Sequence, residues 1–249
     1  GVEAYKAKQL PRFWKATGVL VIAGLIGVAT NLSNLYHTYS YSKETMRGKS
    51  ELVYEGDAAQ QTSSGLNRDY ITQWSYGIGE TWTLLVPNFK GGASVPLAAN
   101  ETAMKKANPL YSNIYTQLTQ YFGEQPMTSG PVYVGAFVLF LFILGCFIVK
   151  GPMKWALLGA TLFSILLSWG KNFMPLTDFF IDFVPMYNKF RAVSSILVIA
   201  EFTIPLLAIL ALKRIFDEPS VLKQTRNGLI VSTILTFGVA LILWIWPSF

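Results

Sequence analysis

Cysteine and histidine each occur once in this sequence, as Cys146 and His37. A lone cysteine within an apolar run excludes a disulfide framework, and a single histidine excludes a His-rich metal site built from this chain. Charge is also scarce, at 14% Asp, Glu, Lys and Arg against roughly 25% in soluble domains. There is no Walker loop, dinucleotide fingerprint, zinc spacing or nucleophile triad, and no internal repeat or low-complexity segment. No cofactor and no metal are therefore expected. His37, next to Tyr36, reads as an interfacial histidine.

What the chain has in quantity is apolar sequence. Hydrophobic residues make up 52% of 249 positions, and the mean hydropathy is +0.38. A net charge of +6 could point to nucleic acid in a soluble protein. Here Lys and Arg collect at the ends of apolar runs, as they do in membrane proteins, so no nucleic-acid partner is expected.

Residues 1–15 place Lys6, Lys8, Arg12 and Lys15 among Tyr5, Phe13 and Trp14, the pattern of a cytoplasmic interface segment. A signal peptide is disfavoured, because the apolar run that follows is long and no small-residue cleavage site is evident. Residues 16–36 supply roughly the ~20 positions that cross a hydrocarbon core. Gly18, Gly24 and Gly27 suit close helix packing there, and the run ends in polar Asn31, Ser33 and Asn34. Further spans are expected at 131–149, 155–169, 196–212 and 229–246. The basic connections Lys150/Lys154 and Lys213–Arg226 then fall on the cytoplasmic side with the start of the chain. That leaves 37–130 as an extracytoplasmic loop region, 170–193 as an extracytoplasmic re-entrant or surface loop, and 213–228 as a cytoplasmic loop. The expected fold is an all-α membrane protein with about five transmembrane helices and a large outer loop region containing short helices. Because the chain starts at glycine and ends in an apolar stretch, it is expected to be a fragment of a longer polytopic protein.

Within the first outer region, Tyr41–Leu52 reads as a polar helical or extended piece and Gly65–Tyr70 as a turn. Leu110, Ile114, Leu118 and Phe122 have helical spacing, which predicts a surface helix within 97–122. The segment Trp74–Gly92 has the punctuation of a site. Glycines precede Glu80, Pro87-Asn88 breaks the apolar run, and Lys90 stands beside a glycine pair. Aromatic faces at Trp74 and Trp82 beside acids and amides suit sugars, while a packed loop cap with interfacial aromatics is the plainer reading.

Asp178 and Asp182 lie four apart and share a helix face, for which a solvated surface is the plain account. Lys189 and Arg191 stand at the outer mouth of a span, where the positive-inside rule disfavours them. Arginine there can fork onto a phosphate or carboxylate, or both side chains can snorkel to headgroups. Glu201 lies within a span and four residues before Pro205, where an acid is costly unless paired or wet. It marks either an intramembrane polar contact or a position near enough to the interface to reach water.

Arg47–Leu52, Thr62–Tyr70, Trp74–Gly77 with Glu80, Pro87–Gly92 and Asn188–Ala192 together resemble the YfhO family of bacterial polytopic membrane proteins, closest to the Bacteroidetes type. The likeness extends from about Tyr5 to Leu212. It implies a GT-C-type glycosyltransferase in the bacterial plasma membrane, which moves a sugar from a polyprenyl-phosphate donor to an envelope glycan or lipid acceptor on the outer face. Such enzymes usually carry the catalytic acid in the first outer loop, which is not evident here, so it is expected upstream of Gly1. Within this chain, Glu80 and then Asp69 are the expected general bases. Asn88, Lys90, Trp74 and Trp82 are expected to line the substrate pocket, and Lys189 and Arg191 to bind the carrier phosphate. A transporter or flippase of a lipid-linked or small polar solute, built around Glu201 and Pro205, is the rival reading. A non-catalytic envelope-assembly scaffold is a third.

Overall fold

The structure is a computed structural model that describes residues 1–45 and 66–245. The polar piece expected to run on to Leu52, the Thr62–Gly65 part of the motif series and Trp246 lie outside the described residues. The fold is predominantly helical, with one small two-stranded sheet among the described residues. The chain divides into two units, 1–67 and 68–249.

In the first unit, α1 (Leu10–Ala29) starts with Pro11 in its first turn and contains no buried residue. Proline is tolerated there because the missing N–H would have had no helical partner. Val19, Leu20, Ile22, Leu25 and Ile26 face outward. An apolar surface of this extent belongs in lipid or against a partner rather than in water. Thr30 and Asn31 break the helix, and α2 (Leu32–Ser42) continues beyond them.

The second unit has a helical bundle crowned by a polar cap. Its bundle helices are α3 (Ala136–Ile148), α4 (Pro152–Ser168) and α6 (Val198–Asp217), separated by a shorter helix, α5 (Met174–Phe183). Gly145 of α3 lets α6 approach so closely that a Cβ there would stand 3.1 Å from Leu207. The hydroxyls of Thr161 on α4 and Thr203 on α6 lie 2.7 Å apart and are buried. Small residues and hydroxyl pairs hold helices together where apolar burial alone gives no drive, as in lipid. The last helical run begins with α7 (Arg226–Thr233), passes through a π-turn (Ile234–Gly238) and ends as α8 (Val239–Ile245). Ser232 and Thr236 donate to carbonyls one turn back, at 2.7 Å each. Such back-bonding loosens the regular ladder around a π-turn.

Among the described residues, three helical stretches are long and apolar enough to cross a membrane: Leu10–Ala29, Val193–Asp217 and Arg226–Ile245. The number is four if Pro152–Ser168 and Gly170–Phe183, bent by 110°, count as one. The bend sits at Gly170, whose φ of +48° is in the left-handed region that glycine tolerates. A Cβ there would overlap the Ser75 side chain, so Gly170 also brings the cap onto the end of α4.

The cap is made of residues 68–135 and 169–197. The strands β1 (Gly91–Pro96) and β2 (Thr119–Tyr121) pair antiparallel with an irregular register between Gly91↔Tyr121 and Pro96↔Thr119. Of the surface helix expected within 97–122, short helical stretches form at Glu101–Met104, Pro109–Tyr111 and Ser112–Gln117, and the chain then passes into β2. Asn100 and Asn108 set the breaks, since their side chains accept from the N–H groups of Ala103 (3.1 Å) and Leu110 (3.0 Å) and so restart the chain locally. Pro109 enforces the second break.

Candidate functional site

Glu80 is the most enclosed charged side chain of the cap, at 3% exposure. It sits in a 3₁₀ turn, Gly79–Leu84, and both carboxylate oxygens are engaged. The Tyr121 hydroxyl donates to Oε1 (2.5 Å), and the Gly77 N–H donates to Oε2 (2.6 Å). The Glu124 N–H makes a longer contact with Oε2, at 3.4 Å. Beneath it, the hydroxyls of Tyr76 (2.8 Å) and Thr83 (2.5 Å) both donate toward the Glu80 carbonyl. Burial pushes the Tyr76 phenol up to about 12, with Glu80 adding to the effect. Tyr121 is pushed well above the usual phenol range, first by burial and then by its bond to Glu80. Both tyrosines thus stay protonated as donors. Glu80 ties its own turn to the stretch from Tyr121 to Glu124.

A second cross-link joins the two stretches of the cap and ties them to the end of α4. Asn172 donates to the Tyr76 carbonyl (3.0 Å) and to Glu124 Oε2 (2.9 Å), and Lys171 reaches the same carboxylate at 3.8 Å. The Tyr76 N–H donates to the Ser168 carbonyl (2.8 Å), and the Trp169 indole donates to Thr81 (3.0 Å). A polar loop can rest on an apolar bundle only if its backbone groups find partners in this way.

Arg191 occupies a different part of the cap. Its guanidinium lies over the rings of Trp74 (4.7 Å) and Tyr70 (5.3 Å) and donates to the Tyr70 hydroxyl (2.8 Å). The side chain is nonetheless exposed. Stacking holds the flat guanidinium in place while leaving N–H edges for a further acceptor. Ala192, the next residue, has φ +70°, an uncommon state for a residue with a Cβ. Phe190, Val193 and Ile196 line, with Arg191, a cavity of about 160 Å³. An aromatic-held cation thus opens onto an apolar recess.

The remaining expected residues are placed less closely together. Trp74 serves Arg191 and also donates its indole N–H to the Met127 carbonyl (3.3 Å). Asp69 is exposed on the short helix Arg68–Ile71, beside Tyr70. Lys90 shares a small recess with Glu80, and its ammonium lies 5.6 Å from the Phe89 ring centre. Asn88 is exposed with φ +59°, and its carbonyl accepts from Gly91 (2.9 Å). Trp82 is 43% exposed on the Glu80 turn. Lys189 closes the 3₁₀ turn Tyr187–Lys189. Glu201 stands exposed in the first turn of α6 and lines a separate cavity with Tyr76.

Sequence reasoning did not find Tyr121, Asn172 or Arg68. Arg68 bridges the two aspartates of α5, with Nε 3.1 Å from Asp178 and Nη2 2.6 Å from Asp182. The hydrogen bond to Asp178 is the main reason that its pKa is raised further. The i,i+4 spacing of the aspartates was the available signal, but their partner lies 110 positions away. The aspartates are nearly half exposed, so Arg68→Met should cost only about 1 kcal/mol. The thermal midpoint in detergent should fall by about 2–4 °C, a scale set by chains of this size.

No protein-family model, curated protein or solved structure matches this chain.

Proposed function

We propose that this chain is part of a five-span bacterial plasma-membrane protein of the YfhO, GT-C-like kind. In this reading its cap lies on the outer face, and its starting segment is cytoplasmic. The protein transfers a sugar from a polyprenyl-phosphate donor to an acceptor of the cell envelope. The observation that carries the reading is Arg191, an exposed guanidinium clasped by two aromatic rings above an apolar recess. That combination suits an anionic phosphate with a lipid tail, because a charge-assisted fork meets the oxygens while Phe190 and Ile196 meet the chain.

In the transfer, the bond between the sugar's anomeric carbon and the phosphate oxygen breaks, and the phosphate keeps the electron pair. The acceptor oxygen bonds to that carbon and gives its proton to a base. Arg191, with Lys189 nearby in sequence, offsets the charge that develops on the leaving phosphate. Of the two acids considered as base, Asp69 is on the surface beside Tyr70, which holds Arg191. Glu80 is enclosed with both oxygens engaged. We therefore assign base work to Asp69 and a structural task to Glu80. Trp82, Asn88 and Lys90 remain the candidates for acceptor contacts.

Expression of full-length protein carrying Arg191→Ala, followed by measurement of labelled sugar entering envelope material, tests this reading. A fall of about tenfold or more is expected for loss of a charge-assisted contact. Arg191→Lys should recover little, since an ammonium cannot fork or stack as guanidinium does. Wild-type incorporation by Arg191→Ala would end the proposal.

A further inference from the structure

A second cavity, of about 220 Å³, lies at the foot of the cap and is distinct from the recess beside Arg191. Tyr76, Gln125, Thr128, Ser194, Ser195 and Glu201 line it. The 3₁₀ turn Val193–Leu197 separates the two spaces, with Val193 and Ile196 toward one and Ser194 and Ser195 toward the other. Ser194 also joins them, since its N–H donates to the carbonyl of Trp74, the residue under Arg191 (3.1 Å).

The lining is unusual for its depth. Counting along α6, Glu201 lies about 18 Å from Lys213, a basic end of the same span, at ~1.5 Å per residue. In a hydrocarbon layer ~30 Å thick, that depth puts a carboxylate where one is costly without a partner. Among the described residues, the Glu201 carboxylate has no hydrogen bond or ion pair, and neither does the Ser195 hydroxyl. The Ser194 hydroxyl donates to the Gln125 side-chain carbonyl (3.1 Å), and the Gln125 side chain also meets the Tyr121 hydroxyl. No group of three His, Cys, Asp or Glu side chains that could hold a metal occurs among the described residues either. What the cavity presents is a strong acceptor at Glu201, a two-way hydroxyl at Ser195 and an aromatic wall at Tyr76. Neutral polyhydroxylated ligands match that mixture, since each hydroxyl both donates and accepts.

We propose that this cavity holds the hexose of the lipid-linked donor, with Glu201 accepting from its hydroxyls while the phosphate lies at Arg191. The inference rests on the carrier-phosphate reading above and adds the place where the sugar is recognised. Glu201 is then a specificity-determining binding residue. It takes no part in breaking the anomeric bond.

The test is equilibrium binding by the full-length protein in lipid nanodiscs. One probe is a short isoprenyl phosphate, and the others are the same lipid carrying glucose, galactose, mannose or N-acetylglucosamine. Wild type should bind at least one hexose-bearing lipid about tenfold more tightly than the sugar-free lipid, the scale of one hydrogen bond to a charged group. Glu201→Leu should erase that preference and leave sugar-free binding unchanged. No preference in wild type, or an intact one in Glu201→Leu, would overturn the inference while leaving the carrier-phosphate reading standing. Failure of wild type to bind any of the lipids would overturn both. Should Glu201→Leu lose all lipids through misfolding, Glu201→Gln decides: a preference reduced severalfold supports the assignment, and an undiminished one refutes it.

Discussion

Replacing Glu80 by alanine is expected to loosen the cap before it changes any chemistry. The side chain is 3% exposed and accepts from the Tyr121 hydroxyl and the Gly77 N–H at 2.5 and 2.6 Å. Removing it leaves those donors facing a void, at a cost of about 3–5 kcal/mol, the range for breaking a buried charged contact. Glu80→Gln keeps one acceptor but turns an NH₂ toward N–H donors, and should cost about 1–3 kcal/mol. Tyr121→Phe should cost about 1–2 kcal/mol, and the double variant Glu80→Ala/Tyr121→Phe less than the sum, because the two share one bond. Thermal unfolding in detergent, followed by tryptophan fluorescence, measures all four. A catalytic base would behave otherwise: Glu80→Gln would keep wild-type stability and lose sugar transfer.

The second large effect is expected at Gly91. Its φ is +83°, and a Cβ there would overlap the Gln120 carbonyl across the strand pair. Gly91→Ala combines left-handed strain of ~1–2 kcal/mol with overpacking of ~1–3 kcal/mol, so a loss of about 2–5 kcal/mol is expected. β2 carries Tyr121, so displacing it also draws the hydroxyl away from Glu80. The neighbouring Gly92 is the control. A Cβ there would meet the Gln120 side chain at an ordinary 3.4 Å, and Gly92→Ala should change stability by no more than about 0.5 kcal/mol. Equal effects at the two positions would show that the strand crossing is not the constraint.

These two positions also show how far the sequence could be read. Glycine and proline punctuation singled out Trp74–Gly92, and that segment contains the Glu80 turn, the left-handed Asn88 and the tight crossing at Gly91. Apolar runs long enough for a membrane were legible from composition alone, because length and hydropathy are local properties. Helical spacing at Leu110, Ile114, Leu118 and Phe122 held only as far as Gln117, since the chain enters β2 at Thr119, and the Asn100 and Asn108 caps with Pro109 divide what precedes into short pieces. Pairings across the cap were not legible. Tyr121 meets Glu80 over 41 positions, and Arg191 meets Tyr70 over 121, so each depends on how loops are folded over the bundle. Sequence could place Arg191 at the mouth of a span. It could not show that two aromatic rings hold its guanidinium.

The central claim is that this guanidinium reads the phosphate of a lipid carrier. Its most direct test compares binding of an isoprenyl phosphate with binding of the matching isoprenol, in nanodiscs, by wild type and by Arg191→Ala. The account predicts that wild type prefers the phosphate by about tenfold or more, and that Arg191→Ala removes that preference while isoprenol binding stays the same. An undiminished phosphate preference in Arg191→Ala would contradict it.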